Sequence, residues 1–175
     1  VEVTREVPSA PDVTSRVEGK AGYLRVAAFG PGVGKAISTQ AAALARQGAT
    51  GLVVDIRDAA TGTLDEGLAA SRLFVAGGTL AVKETRDLGR TPITANGSSP
   101  AIGLPAVVLV NEGTSGAAEL FAAALAGNKR ATLVGARTQG RVAMQKLVKL
   151  PDGAGMLISN AWYLTPSGDV IHEKG

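Results

Sequence analysis

The residues best placed to do chemistry lie in a small-residue turn, Asn111 to Gly116, between an apolar segment and an alanine-rich one. The flanking composition predicts a strand over 106–110 and a helix over 116–126. A strand–turn–helix junction of this kind directs backbone N–H groups and a helix N-terminus into one crevice, where they stabilise negative charge. The turn is therefore shaped like a nucleophile site.

The chain contains six separated blocks that follow one another in the order of a known family. They span 22–29, 51–64, 111–119, 130–135, 138–145 and 162–168. In these blocks the chain resembles the tail-specific, or C-terminal processing, serine peptidases. The resemblance implies an α/β fold with a ClpP/crotonase-like core, in which a mostly parallel sheet is covered by helices and followed by a C-terminal β-hairpin. It also implies protein or peptide C-terminal tails as partners.

The two catalytic positions implied by this resemblance hold residues that cannot do the family's chemistry. The family places its serine three residues before the glutamate, Glu119, where this chain has Gly116. Its lysine, whose neutral amine acts as the base, is replaced by Arg141, 25 residues after Gly116. Because an arginine guanidinium stays protonated throughout the pH range of proteins, forcing it to deprotonate at pH 7 would cost about 9 kcal/mol. Nucleophile and base are both replaced.

Other positions of the family's site are partly retained. A glycine pair implied in the oxyanion hole becomes Thr61-Gly62, so only Gly62 is kept. Gln145, four residues beyond the lysine position, is retained, whereas an aspartate that assists in some members is replaced by Gly127. The site is therefore incomplete beyond the dyad.

These positions predict a crevice that binds a peptide. We expect Gly62, Ser115, Gly116 and Arg141 to line it, with the N–H of Ala117 directed into it. An extended peptide would pair through its backbone with a strand edge. Arg141 would favour an anionic group such as a terminal carboxylate, which a guanidinium binds through two hydrogen bonds.

Two alternatives remain at the catalytic positions. Ser115 is a fallback nucleophile if the turn shifts by one residue. Such a shift rotates a side chain by about 100° in a helix, so we expect Ser115 to point away from the crevice, with Thr114 or Ser115 capping the helix. Alternatively, the glycine and arginine were introduced to trap a peptide. The further changes at Gly127 and Thr61 favour natural loss.

The chain alternates predicted strands and helices. Strands are predicted over 22–29, 51–57, 79–85, 106–110 and 131–135, helices over 33–47, 64–76 and 116–126, and a hairpin over 142–150 and 155–164. The repeated strand–helix–strand units predict a mostly parallel sheet in which 51–57 and 106–110 are adjacent and parallel. Thr91 to Ser99 is predicted to be a polar loop.

The sequence predicts one core domain over 22–175. Residues 1–7 alternate like an edge strand and resemble the last strand of the PDZ domain that precedes this core in many relatives. Residues 8–21 would then be a linker. The resemblance further implies a bacterial, extracytoplasmic setting, either periplasmic or secreted.

Composition argues against several other classes of protein. The 175 residues are 45% hydrophobic and 19% charged, which is ordinary globular usage. A net charge of +3 without a cluster of basic and aromatic residues argues against nucleic acid as a partner. The sequence has no apolar run of about 18 residues, which is the length that a membrane-spanning helix needs, so no such segment is predicted. The absence of cysteine excludes thiolate metal sites. No metal or cofactor is predicted. Assembly into a homo-oligomer is compatible with the sequence.

Three further features have plain structural interpretations. Gly30-Pro-Gly-Val-Gly-Lys35 lacks the first glycine and the Ser or Thr of a phosphate-binding loop, so we interpret it as a turn that opens a helix. His172, the single histidine, is predicted to be a solvated surface residue rather than a triad member. Asp55 and Arg57 share one face of a strand and are predicted to be structural or site-lining.

Three hypotheses of function follow. The favoured one is a catalytically silent, peptidase-like domain that binds a protein tail or serves as an assembly scaffold. The second is a working serine endopeptidase with altered catalytic residues, which cleaves proteins near their C-termini. The third is a crotonase-like domain that binds a small acyl ligand.

Overall fold

Two β-sheets and three helices form the described part of the chain, which is residues 12–95, 97 and 101–175 of a computed structural model. The strands are β1 (Val13–Glu18), β2 (Ala21–Val26), β3 (Gly51–Asp55), β4 (Thr79–Thr85), β5 (Gly89–Thr94), β6 (Ala106–Val110), β7 (Ala131–Gly135), β8 (Ala143–Lys149) and β9 (Gly155–Leu164). The helices are α1 (Val33–Arg46), α2 (Leu64–Arg72) and α3 (Ala117–Gly127).

The first sheet has five strands in the order β1-β2-β3-β6-β7. β1 pairs antiparallel with β2, and the other neighbours are parallel. β3 and β6 are adjacent and parallel, with Val54 opposite Val108, which confirms that prediction. The α/β class with a parallel-containing sheet is also confirmed, because a helix lies between each successive pair of the parallel strands β2, β3, β6 and β7.

The core lies between this sheet and the helices. In the central strands β2, β3 and β6, Leu24, Leu52 and Val108 are buried while their neighbours along the strand keep partial exposure. The alanine-rich α3 is buried over most of its length because small side chains let neighbouring elements approach closely. Phe121 of α3 contacts the Phe29 and Phe74 rings, with centroids 5.4 and 5.6 Å away, and burial of each such ring contributes about 1.5–3 kcal/mol.

The second sheet is antiparallel, in the order β5-β4-β9-β8, and contains the predicted C-terminal hairpin as β8 and β9. The predicted polar loop is wrong over Thr91 to Thr94, which belong to β5. β5 is an edge strand, and an edge tolerates the proline that marks this segment as a loop in the sequence. The remainder of that predicted loop lies largely outside the described residues.

The linker predicted over 8–21 is wrong from Val13 onward. Val13 to Glu18 form β1, whose Ser15 hydroxyl donates to the Gln40 side chain of α1 at 2.6 Å. Burial of Val13 and half-burial of Val17 on the helix-facing side explain why this polar segment becomes a strand. The predicted strand at 1–7 lies outside the described residues.

The glycine-rich segment before α1 opens that helix. Gly32 is the N-cap and has φ 84°, a left-handed conformation that glycine adopts without strain. None of the helices in the described ranges is long and apolar enough to cross a bilayer.

Candidate functional site

The turn between β6 and α3 is fixed by hydrogen bonds to the segment that follows β3. The Asn111 side-chain oxygen accepts from the N–H groups of Asp58 at 2.9 Å and Gly113 at 3.1 Å. The Thr114 hydroxyl donates to the Ile56 carbonyl at 3.0 Å and accepts from the Asn111 N–H at 3.1 Å. Two side chains thus hold the turn against the end of the neighbouring strand, where ligand sites of parallel sheets form.

Gly116, which is predicted to stand at the family's serine position, has an unusual backbone conformation with φ 61° and ψ −114°. Residues other than glycine adopt it at a cost of about 1–3 kcal/mol, and strained strand-to-helix turns of this kind carry the nucleophiles of hydrolases. A Cβ built on Gly116 would have the Arg141 carbonyl oxygen as its nearest neighbour, at 3.7 Å. The backbone therefore retains the shape of a nucleophile turn, with space for a side chain.

The prediction that Thr114 or Ser115 caps α3 is wrong. Gly116 is the N-cap residue, and the Thr114 hydroxyl is engaged with the Ile56 carbonyl. The cap is instead supplied from within the helix, because the Glu119 carboxylate accepts the Gly116 N–H at 2.9 Å.

Glu119 joins the two halves of the site. Its side chain is buried, and one oxygen accepts the N–H groups of Gly116 at 2.9 Å and Arg141 at 2.8 Å. The other oxygen accepts the Gly140 N–H at 2.5 Å. Within the described ranges no cation pairs with this carboxylate, so three backbone donors and the positive end of α3 compensate its charge.

A crevice of about 250 Å³ opens beside these hydrogen bonds. The residues lining it are Ala60, Gly62, Leu64, Ser115, Gly116, Ala117, Gln139, Arg141 and Ala143. The structure thus brings together the five positions expected to form the crevice, although their roles stay predictions.

Ser115 is a residue of the crevice wall and directly precedes Gly116, whose positive φ redirects the chain. Ser115 is 6% exposed. The hydrogen bonds that hold the turn engage the Thr114 hydroxyl and the Gly116 N–H but not the Ser115 hydroxyl. The direction of the Ser115 side chain stays a prediction.

The crevice offers backbone donors as well. In the described part of the chain, neither the Gly62 N–H nor the Ala117 N–H has an acceptor. Gly62 has φ 127°, and a Cβ there would lie 2.7 Å from the Phe29 Cα, so only glycine fits. Arg141 is exposed and belongs to none of the ion pairs in the described segments. The crevice wall thus includes an exposed arginine and two residues whose N–H groups have no backbone acceptor in the described part of the chain.

Two predicted positions lie apart from the crevice. Gln145 is an exposed residue of β8 opposite Ser159 of β9, and it is absent from the crevice wall. Gly127 is the last residue of α3, about 16 Å along the helix from Gly116, and packs against Pro166. A side chain at position 127 would not reach the crevice.

The buried carboxylate of Asp55 forms an ion pair at 2.7 Å with the half-exposed guanidinium of Arg57. Neither residue belongs to the crevice wall. Burial of the Asp55 carboxyl raises its pKa, but hydrogen bonds from Arg57 and from the Tyr23 hydroxyl outweigh this and lower the pKa to about 2. The pKa of Tyr23 is raised by burial and by the neighbouring Asp55. This cluster stabilises the end of β3, as the structural interpretation predicts.

His172 is half-buried, so the prediction of a solvated surface residue is wrong. The C-terminal turn packs against the segment before Arg141, where the Glu173 N–H donates to the Gly140 carbonyl at 2.8 Å. His172 Nδ1 is buried without a partner among the described residues. The imidazole is absent from the crevice wall, so the described site contains no histidine triad.

Comparisons with known proteins agree with this geometry. The sequence profile described as peptidase family S41 matches residues 20–175. The chain is 36% identical over 178 residues to the carboxyl-terminal-processing protease of Synechocystis sp. (strain ATCC 27184 / PCC 6803 / Kazusa), covering 99% of the chain and 42% of that protein. It is 37% identical over 154 residues to the chloroplastic C-terminal processing peptidase of Tetradesmus obliquus, covering 88% of the chain and 33% of that protein.

A solved structure is also similar over nearly the whole chain. The photosystem II D1 C-terminal processing protease matches with a TM-score of 0.85 and 33% identity, covering 98% of this chain and 48% of that one. The chain therefore spans less than half the length of the relatives that it matches.

The geometry around Glu119 yields a prediction. Replacing Glu119 by glutamine removes a charge and one of two acceptor oxygens, leaving a backbone donor unpaired. We expect Glu119→Gln to lower the free energy of unfolding by about 2–4 kcal/mol in a urea titration. Hydrogen exchange at the Gly140 and Arg141 amides should accelerate as well.

The exposed Glu112 on the same turn supplies the control. Glu112→Gln removes the same charge at the surface and should change stability by less than about 0.5 kcal/mol. Equal stabilities for the two variants, with the Gly140 and Arg141 amides still protected in Glu119→Gln, would contradict the role given to Glu119.

Proposed function

The chain belongs to peptidase family S41, and we propose that its site binds the C-terminal carboxylate of a partner protein's tail without cleaving that partner. The relatives named C-terminal processing proteases supply the substrate class. The partner is then an unstructured protein or peptide end, held by groups that once served catalysis.

One observation carries this proposal. Gly62, Ser115, Ala117 and Arg141 line one crevice, and no acidic residue among the described ones lines it. In the described part of the chain the N–H groups of Gly62 and Ala117 have no backbone acceptor. A terminal carboxylate can accept several hydrogen bonds, and a guanidinium matches it in shape and charge. These donors are fixed by the turn and by Glu119, so little order is lost when an anion binds.

The same crevice lacks the means for hydrolysis. Gly116 has no side-chain oxygen to attack a carbonyl, and Arg141 stays charged at neutral pH. Loss of the nucleophile alone reduces turnover in a serine protease by about a million-fold, and the remaining donors give only about 10³–10⁴-fold over water. Carbonyl polarisation without a nucleophile is too slow for useful proteolysis.

An active peptidase that uses Ser115 is the second candidate. It is favoured by the place of Ser115 in the crevice wall and by the absence of its hydroxyl from the hydrogen bonds that hold the described turn. A serine needs an adjacent base to become a nucleophile. The described lining residues offer Gln139 and Arg141, and neither accepts a proton at neutral pH. The silent binding site is therefore the better hypothesis.

Tail binding can be tested with a fluorescent peptide in two forms, one with a free C-terminal carboxylate and one amidated. We expect the free acid to bind and the amide to bind much more weakly. Arg141→Ala should weaken binding of the free acid by about 10- to 150-fold, because a charge-assisted hydrogen bond contributes about 1.5–3 kcal/mol. Fluorescence anisotropy measures both effects.

Arg46→Ala is the matched control, since Arg46 is an exposed arginine at the far end of α1. It should leave affinity unchanged. Equal affinity for acid and amide, or equal effects of the two arginine variants, would contradict carboxylate binding at Arg141.

Catalytic silence can be tested with a fluorophosphonate probe, which labels only activated serines. We expect no labelling of the unaltered chain and no cleavage of an unstructured protein substrate. The double change Gly116→Ser/Arg141→Lys introduces the serine and the lysine of the family's catalytic dyad. The serine costs about 1–3 kcal/mol in backbone strain at position 116. Activity gained only by the double change would support a site that has lost its dyad.

Ser115→Ala is the control for this experiment. Labelling of the unaltered chain that disappears in Ser115→Ala would overturn catalytic silence and favour the active peptidase.

A further inference from the structure

The free edge of the second sheet leads directly out of the crevice. β8 is the outer strand of the order β5-β4-β9-β8, and its first residue, Ala143, belongs to the crevice wall. Arg141 lies two residues before it. Among the described residues β8 pairs on one side only, so its other side presents backbone groups to an added strand.

The charged side chains of β8 are both basic. Lys146 and Lys149 are exposed, and β8 contains no acidic residue. Neither lysine belongs to an ion pair within the described ranges. Asp152 in the hairpin turn accepts the Ala154 N–H at 3.0 Å, so the nearby carboxylate is engaged locally. Together with Arg141, the edge carries three free positive charges.

The same edge exposes apolar surface. Leu147 of β8 and Leu157 of β9 are opposite each other and are 57% and 62% exposed. Val148 is opposite Met156, which is 45% exposed. A hairpin that leaves such cross-strand pairs uncovered gains stability when a further strand packs beside it.

We propose that the β8 edge receives an acidic, extended protein tail as an additional antiparallel strand, and this rests on the tail-carboxylate function proposed above. A second copy of β8 fits poorly, since pairing two such strands brings lysines together. An acidic tail complements all three charges. Its backbone pairs with β8, and its apolar side chains cover Leu147 and Val148.

The direction and the spacing of the tail follow from the position of the crevice. β8 begins at the crevice and runs away from it, so a tail whose C-terminus lies in the crevice runs antiparallel to β8. With its terminal carboxylate at Arg141 and one-to-one pairing, the residues opposite Lys146 and Lys149 are about five and eight positions before the C-terminal residue. At these two positions an acidic side chain of the tail pairs with a lysine of β8.

The test uses two ten-residue peptides with free C-terminal carboxylates. One carries glutamate five and eight positions before the last residue, and the other carries lysine there, with the rest of the two sequences identical. We expect the glutamate peptide to bind about 10-fold more tightly, because two surface charge pairs replace two repulsions. Lys146→Glu/Lys149→Glu should reverse this preference, a charge swap that simple loss of structure cannot produce.

The control is Lys20→Glu/Lys35→Glu, which makes the same change in net charge at two exposed lysines remote from β8 in the sequence. It should keep the preference for the glutamate peptide. Equal binding of the two peptides, or a preference that Lys146→Glu/Lys149→Glu leaves unchanged, would overturn the acidic-tail inference while the carboxylate function stands. Failure of both free-acid peptides to bind would overturn both.

Discussion

The site depends on the hydrogen bonds that the buried carboxylate of Glu119 accepts from three backbone N–H groups. The turn before α3 and the segment before β8 are more than twenty residues apart in the chain, and this side chain ties Gly116 to Gly140 and Arg141. A buried carboxylate is tolerated only when its oxygens are fully hydrogen-bonded. The need to satisfy Glu119 therefore forces the two segments together and creates the crevice between them.

Gly116 has the backbone conformation of a strained strand-to-helix turn. Its φ of 61° and ψ of −114° strain any residue with a Cβ, so a serine there would store strain that glycine does not. Under the function proposed above, glycine at this position leaves the turn unstrained and without a nucleophile. The exposed Arg141 beside it then suits a bound anion.

Much of the fold follows from local patterns in the sequence. Apolar strands such as β3 and β6 and the amphipathic α1 are visible as sequence patterns, and a connection long enough to contain a helix predicts that the two strands are parallel. β1 and β5 lack such a periodicity because they are polar edge strands whose formation depends on a partner: β2 for one, β4 for the other. At the site, residue types indicate the loss of the dyad, but the roles of Glu119 and Ser115 depend on contacts between distant segments and on one left-handed glycine.

The central claim is that the fixed donors of the crevice bind a terminal carboxylate. Amide NMR shifts of the chain, followed as a free-acid peptide and its amidated counterpart are titrated in, test this most directly. We predict that the Gly62 and Ala117 amide resonances move with the free acid and stay in place with the amide. Identical shifts with both peptides, or shifts confined to residues outside the crevice, would contradict it.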